Sequence, residues 1–208
     1  MTTQPTLAQH PVDSAHGLCD YSAMIPLTIG TENMPDPQQA IEKALQSKQP
    51  KDVVYAFLVN TAKELVANAA EKLVAKNATY VSLNFSNPEL KQIEPWTGTS
   101  TGRDVYVYTF SNVGTYWNVD DFQVSDMIAE GNLVAVFGQF TYTSVIAKKT
   151  FTSPFAIKVR VEDGLITYFQ FMEDTYASAA SFRVEGEWTI QQHADQSKRF
   201  NVSEKSWL

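Results

Sequence analysis

The sequence is poor in the residues that carry most nucleophilic and metal chemistry. It holds one cysteine in 208 residues, Cys19, so no disulfide can close within it. It holds three histidines, His10, His16 and His193, all near the ends. A histidine general base, a Ser-His-Asp arrangement or a histidine-rich metal site in the body of the chain is therefore not expected. Basic residues are outnumbered, sixteen Lys and Arg against twenty-three Asp and Glu, for a net charge of −7. The longest basic pairs are Lys148-Lys149 and Lys198-Arg199. A nucleic-acid partner would need a basic stripe to displace counterions, and none is present. The acidic balance also disfavours anionic membrane surfaces. No apolar run approaches the roughly 18 residues that span a bilayer. The opening Met1-Thr2-Thr3-Gln4-Pro5 has neither the basic nor the apolar part of a secretory signal. The expected setting is cytoplasmic, with no metal and no cofactor.

What is present is a globular mixture, 44% hydrophobic and 19% charged. Residues 1–50 read as an extension broken by Pro5, Pro11, Pro26 and Pro35. Near its end a short helix is predicted over 36–47, with Asp36 as N-cap and Pro37 as first helical residue. A first strong helix is expected over Lys51–Val66, where Val54, Phe57, Leu58, Leu65 and Val66 recur at helical spacing. A second is expected over Ala69–Ala75, and a strand over Tyr80–Phe85. Residues 84–101 read as loop, with Pro88, Pro95 and Gly98. The segment 102–113 is rich in Val and Tyr and reads as strand or helix.

From Trp117 onward the pattern is sheet. Strands are expected over 118–129, 133–145, 150–162 and 165–174, joined at Glu130-Gly131-Asn132, Ala147-Lys148-Lys149 and Asp163-Gly164. Strands this long must twist, so the sheet bends around whatever covers one face. In 150–162, Phe151, Phe155, Ile157, Val159 and Val161 share the face expected to pack, opposite Thr152, Lys158 and Arg160. The strand 165–174 is apolar on both faces. It implies cover on both, by helices on one and by a second subunit or the tails on the other. A short helix over 176–182 follows. An edge strand at 187–191 and a polar tail complete residues 186–208.

The order helix, helix, strand, helix, then four hairpin-linked strands resembles the nuclear transport factor 2-like superfamily. Residues 51–185 are similar to its SnoaL-like, ketosteroid-isomerase-related branch. The likeness rests on Val54-x-x-Phe57, Asn77-Ala78-Thr79-Tyr80, Gly102-Arg103-Asp104 and Gly131–Val136. It rests also on Ser153-Pro154-Phe155, Val161-x-Asp163-Gly164-x-Ile166 and Phe171-Met172-Glu173-Asp174. It implies an α+β cone, in which a curved, mainly antiparallel sheet packs on about three helices around an internal pocket.

The resemblance also sets chemical expectations. Ketosteroid isomerases use an aspartate base on the first strand, but here that position falls near Ser82, with no carboxylate between Ala78 and Pro88. Limonene-epoxide-hydrolase-like enzymes use an Asp-Arg-Asp set, which Arg103 and Arg160 do not supply. SnoaL-type cyclases imply an acid/base aspartate in the pocket; the candidates are Asp121, Asp126, Glu173 and Asp174, and Asp174, ending an aromatic strand, is preferred. Its commoner role would be to cap the helix that follows, where it is well placed to accept from the next amides. Tyr80, Trp96, Trp117, Phe137, Phe155, Gln170 and Met172 are the expected ligand-binding residues, with Tyr80 and Gln170 as orienting polar groups. Two readings follow. One is a cofactor-independent acid/base enzyme acting on a hydrophobic small molecule. The other is a non-catalytic binding or assembly module, dimeric through the outer face of the sheet.

Overall fold

Asp36 and Pro37 start the first helix. In the computed structural model, which describes residues 36–191 and 199–203, the Asp36 side chain accepts a hydrogen bond from the Gln38 amide at 3.1 Å and α1 runs Pro37–Ser47. Ala40, Ile41 and Ala44 bury into the same core as the rest of the protein. Cys19, His10, His16 and His193 lie outside the described residues.

The next helix is shorter than its apolar spacing suggests. α2 spans Pro50–Leu58 and α3 spans Val66–Leu73. Two side chains stop α2. Asn60 Nδ2 donates to the carbonyls of Ala56 (2.8 Å) and Pro37 (2.9 Å), and Thr61 Oγ1 donates to that of Leu58 (3.0 Å). Side chains that bond nearby carbonyls compete with the helical ladder in this way. The first strand, expected at Tyr80–Phe85, begins six residues earlier: β1 is Val74–Ser82. Asn77 sits in an irregularity between Val74 and Thr79 where β1 pairs with the last long strand. Leu83 has φ +64° and ends β1.

The segment read as loop carries two elements. α4 is Leu90–Ile93, and β2 is Gly98–Thr101, an edge strand antiparallel to β1. The ambiguous Val/Tyr segment is helical: α5 spans Arg103–Tyr116. Two bonds fix it to β1. Arg103 Nε donates to the Val74 carbonyl at 2.9 Å, and Tyr106 Oη to that of Thr79 at 2.8 Å.

The remaining strands follow the sequence pattern closely. They are β3 (Trp117–Glu130), β4 (Leu133–Ser144), β5 (Thr150–Glu162) and β6 (Leu165–Glu173). Gly131 (φ +55°) and Asp163-Gly164 (φ +51° and +83°) make the tight turns, conformations in which glycine carries no Cβ penalty. The six-stranded sheet has the order β2-β1-β6-β5-β4-β3. Only the β1–β6 pair is parallel, so the sheet is mainly antiparallel, as the hairpin turns implied. α6 (Thr175–Ala180) crosses the end of β5. The segment expected as an edge strand of this sheet instead forms its own two-stranded sheet, β7 (Glu187–Ile190) with β8 (Phe200–Ser203).

The concave face of the sheet and the helices enclose the core. Phe155, Ile157, Val159 and Val161 of β5 are buried, while Lys158 and Arg160 stand exposed. Gly138 matters here for space, since a Cβ would come within 2.6 Å of the Phe155 ring and into the Gln123 carbonyl. Without it the Phe155 ring could not lie flat against β4.

Candidate functional site

Strand parity decides which side chains face inward. On β6, Phe169, Phe171 and Glu173 share the concave side, and Tyr168, Gln170 and Met172 the convex side. Register carries the inner row across the sheet: Glu173 pairs with Phe155, which pairs with Gly138, and Phe171 pairs with Ser82 of β1. Glu173 thus closes the inner row at the end covered by α6.

A second carboxyl lies within electrostatic reach of it. Glu94, directly after α4, is fully buried, and neither of its oxygens has a hydrogen-bond partner. Burial pushes its carboxyl up from an ordinary 4.5 to about 7, with the nearby Ser178 hydroxyl offsetting part of the rise. Burial likewise raises Glu173 from 4.5 to about 8. The charge of Glu94 adds to that rise, Ser178 opposes it, and Asp174 contributes a little. Two desolvated carboxyls, one of them raised further by the charge of the other, cannot both ionise cheaply, so the pair retains a proton near neutral pH.

Two phenols complete the group. Burial raises Tyr80 far above its ordinary range, Glu173 adds to it, and the Ser82 hydroxyl lowers it somewhat. Tyr142 is raised by burial first, then by Glu173 and Tyr80. Both stay protonated and can donate hydrogen bonds. Among the described residues no three Asp, Glu, His or Cys side chains gather closely enough to hold a metal ion.

α6 roofs this site, and its own bonds hold it down. Asp174 Oδ1 accepts from the amides of Tyr176 and Ala177, both at 3.1 Å. The Asp174 amide donates to Ser153 Oγ at 2.9 Å. Trp117 Nε1 donates to Ser181 Oγ at 3.1 Å, and Ser181 Oγ donates to the Ser178 carbonyl at 2.7 Å.

The expected site residues separate into four groups. Tyr80, Phe155 and Trp117 are buried on the inner side, with Tyr80 stacked on Phe169 at 5.5 Å and Phe155 on Phe171 at 5.6 Å. Trp96 is half-buried and stacks on Tyr116 at 4.3 Å, edge-on to Trp117. Phe137, Gln170 and Met172 stand on the convex face, away from the carboxyl pair. Phe137 is 42% exposed, and Gln170 Oε1 accepts from Tyr168 Oη at 2.9 Å. Asp174 is exposed and engaged as the cap of α6. Sequence reasoning ranked Glu173 behind Asp174 as an acid/base candidate, although it shares the parity of Phe169 and Phe171. It also missed Glu94, which no periodicity marks.

This fold, a curved sheet closed over helices with a roofed interior, defines a member of the nuclear transport factor 2-like superfamily. Within it the chain belongs to the SnoaL-like family, whose "SnoaL-like domain" matches residues 66–169. It is 41% identical to "Patulin synthesis protein F" of Aspergillus clavatus over 132 residues, 62% of this chain and 67% of that one. It is 39% identical to "Patulin biosynthesis cluster protein F" of Penicillium expansum, over 62% of this chain and 66% of that protein. The chain thus spans about two-thirds of the length of both relatives. A crystal structure of a protein of unknown function with a cystatin-like fold, from Xanthomonas campestris, superposes with a TM-score of 0.51. It shares 13% identity and covers 65% of this chain and 99% of its own. That likeness concerns the fold alone.

Proposed function

We propose that this protein is a cofactor-independent acid/base enzyme acting on a small, oxygenated molecule, with Glu173 and Glu94 as its proton-transferring pair. The observation that carries the reading is the pair itself, a fully buried Glu94 and a half-buried Glu173, both raised into the neutral range by burial and Glu173 further by the charge of Glu94. Catalytic acids and bases work best with pKa values near the operating pH, and buried titratable groups of this kind concentrate at functional sites. The acid/base role expected at Asp174 passes to its neighbour, because Asp174 spends its carboxylate on the cap of α6.

The chemistry that fits is a proton shift. The ionised carboxylate takes a proton from a carbon beside a carbonyl. The protonated partner delivers its proton to the carbonyl oxygen, giving an enol. Return of a proton to another carbon completes an isomerisation, and departure of a β-oxygen as water completes a dehydration. Tyr80 and Tyr142, held neutral, are placed to donate hydrogen bonds to the oxygen where negative charge grows. The two relatives named for patulin synthesis support a small-molecule biosynthetic role.

The test is direct. A metabolite extract from Penicillium expansum lacking its own protein F is incubated with the purified protein and followed by mass spectrometry. The reading expects one metabolite to be consumed, with a product of equal mass or one water lighter. Glu173→Gln should slow that turnover by about 10² to 10⁴, the usual worth of a positioned acid or base. A variant as active as the wild type would sink the reading.

A homodimer through the convex face belongs with this proposal. Phe137 and Ile128 are 42% and 61% exposed there, and Tyr168 and Met172 lie only half-buried beside them. Apolar side chains grouped on one sheet face favour a protein partner over water.

A further inference from the structure

A groove of about 330 Å³ lies on the outside of the cone, between α5 and the segment 91–100. Trp96, Tyr108, Ser100 and Thr109 line it, together with one cation, Lys91, and one anion, Asp104. Behind it is a small void of about 20 Å³, bordered by Trp96, Tyr108 and Thr109 again and by Tyr116 and Trp117. The Trp96 ring borders both spaces.

The wall behind Trp96 is built from rings. Its centroid lies 4.3 Å from Tyr116, 5.2 Å from Trp117 and 6.3 Å from Phe182. Trp117 bonds Ser181 of the roof, one turn from Ser178, the hydroxyl beside both carboxyls. Glu94 itself is two residues from Trp96 along the chain. One aromatic layer therefore runs from the groove to the roof over the carboxyl pair, and Trp96 is its outermost member.

We propose that small molecules reach Glu94 and Glu173 through this groove, and that the Trp96 indole is the door. The proposal rests on the acid/base reading above. Half-buried and stacked rather than hydrogen-bonded, the indole can swing by a rotamer change that leaves the backbone in place. Moving it joins the two voids and exposes Trp117. The groove suits an uncharged, oxygenated molecule. Its two charges are of opposite sign, its rings offer apolar faces, and its hydroxyls offer hydrogen bonds. Beyond it lie carboxyls, which repel an anion.

The route can be measured without knowing the substrate. Dicyclohexylcarbodiimide is apolar and reacts with protonated, enclosed carboxyl groups. The acidic proton passes to a diimide nitrogen, the carboxyl oxygen bonds the central carbon, and the acyl group then shifts to nitrogen. Labelling of Glu94 and Glu173 is followed by peptide mapping at about pH 6.5, where the pair is largely protonated. Trp96→Ala should label at least about fivefold faster than the wild type, and Trp96→Phe by a smaller factor. Phe182→Ala, which thins the same layer from the roof side, should stay within about twofold of the wild type. Equal exchange of the β5 amides in wild type and Trp96→Ala shows that the fold has not loosened. Unchanged labelling in both Trp96 variants, or Phe182→Ala matching Trp96→Ala, would overturn the route. The acid/base reading would survive that result, because it stands or falls on the turnover of Glu173→Gln.

Discussion

Replacing Glu94 with glutamine should change the pH dependence of stability in a way that few other surface or core substitutions can. A neutral glutamine has nearly the shape of the protonated carboxyl but cannot ionise. In the wild type the folded-state pKa of Glu94 rises from 4.5 to about 7, burial first among the causes. The folded protein then binds more protons than the unfolded chain between those two values. Stability falls as pH rises through that window, and above about pH 7 the loss is complete. A rise of that size, at about 1.4 kcal/mol for each tenfold change in proton affinity, amounts to about 3 kcal/mol. A fixed offset from the new amide, whose N–H groups find no better partners than the carboxyl did, enters equally at every pH. The quantity to measure is therefore the stability difference between variant and wild type at about pH 9, minus the same difference at about pH 5. Urea titrations followed by tryptophan fluorescence supply it, by linear extrapolation. The expected value is about 3 kcal/mol in favour of the variant. A difference flat with pH to within about 0.5 kcal/mol would refute the claim that Glu94 is ionised at a cost in the folded protein.

Three further outcomes follow from the same geometry. Asp174→Ala removes the two bonds that start α6 and should cost about 1 kcal/mol, the usual worth of an N-cap, in a thermal melt. Turnover near the wild-type rate is expected from the folded variant, and its abolition would return the acid/base role to Asp174. Gly138→Ala should destabilise by at least about 1–3 kcal/mol, because its Cβ meets the Phe155 ring and a backbone carbonyl that cannot yield. A melt unchanged from wild type would mean that β4 has more room than the geometry allows. Phe137→Asp should convert a dimer into a monomer in analytical ultracentrifugation, and a wild type that is already monomeric at micromolar concentration would remove the convex-face dimer.

Much of the sheet was legible because its signals are local. Alternation of Phe, Ile and Val against Lys and Arg in β5 fixed which face is buried, and Asp163-Gly164 fixed a turn. The same parity, extended along β6 from Phe169 through Phe171, points to Glu173. Gln170 and Met172, chosen for chemistry instead, fall on the opposite face. α2 and β1 were misplaced because side-chain bonds from Asn60 and Thr61, invisible to periodicity, end the helix early. Glu94 was not legible at all. It sits among Lys91, Gln92, Pro95 and Gly98, a stretch that reads as solvated loop. Its neighbour Ser178 belongs to α6, which arrives about eighty residues later in the chain. The aromatic residues stand out in the sequence as a group, but where each one points depends on tertiary position. Tyr80 and Phe155 line the interior, Trp96 faces the groove, and Phe137 looks outward.

The central claim, that Glu94 and Glu173 share a proton near neutral pH, is tested most directly by a carbon-13 NMR titration of the glutamate carboxyl carbons, assigned with Glu94→Gln and Glu173→Gln. Two carboxyls should titrate with midpoints near 7 and 8, and Glu94→Gln should lower the Glu173 midpoint, because the charge that helps raise it is gone. Every glutamate titrating below about 5.5, within the ordinary range of a solvated carboxyl, would contradict it.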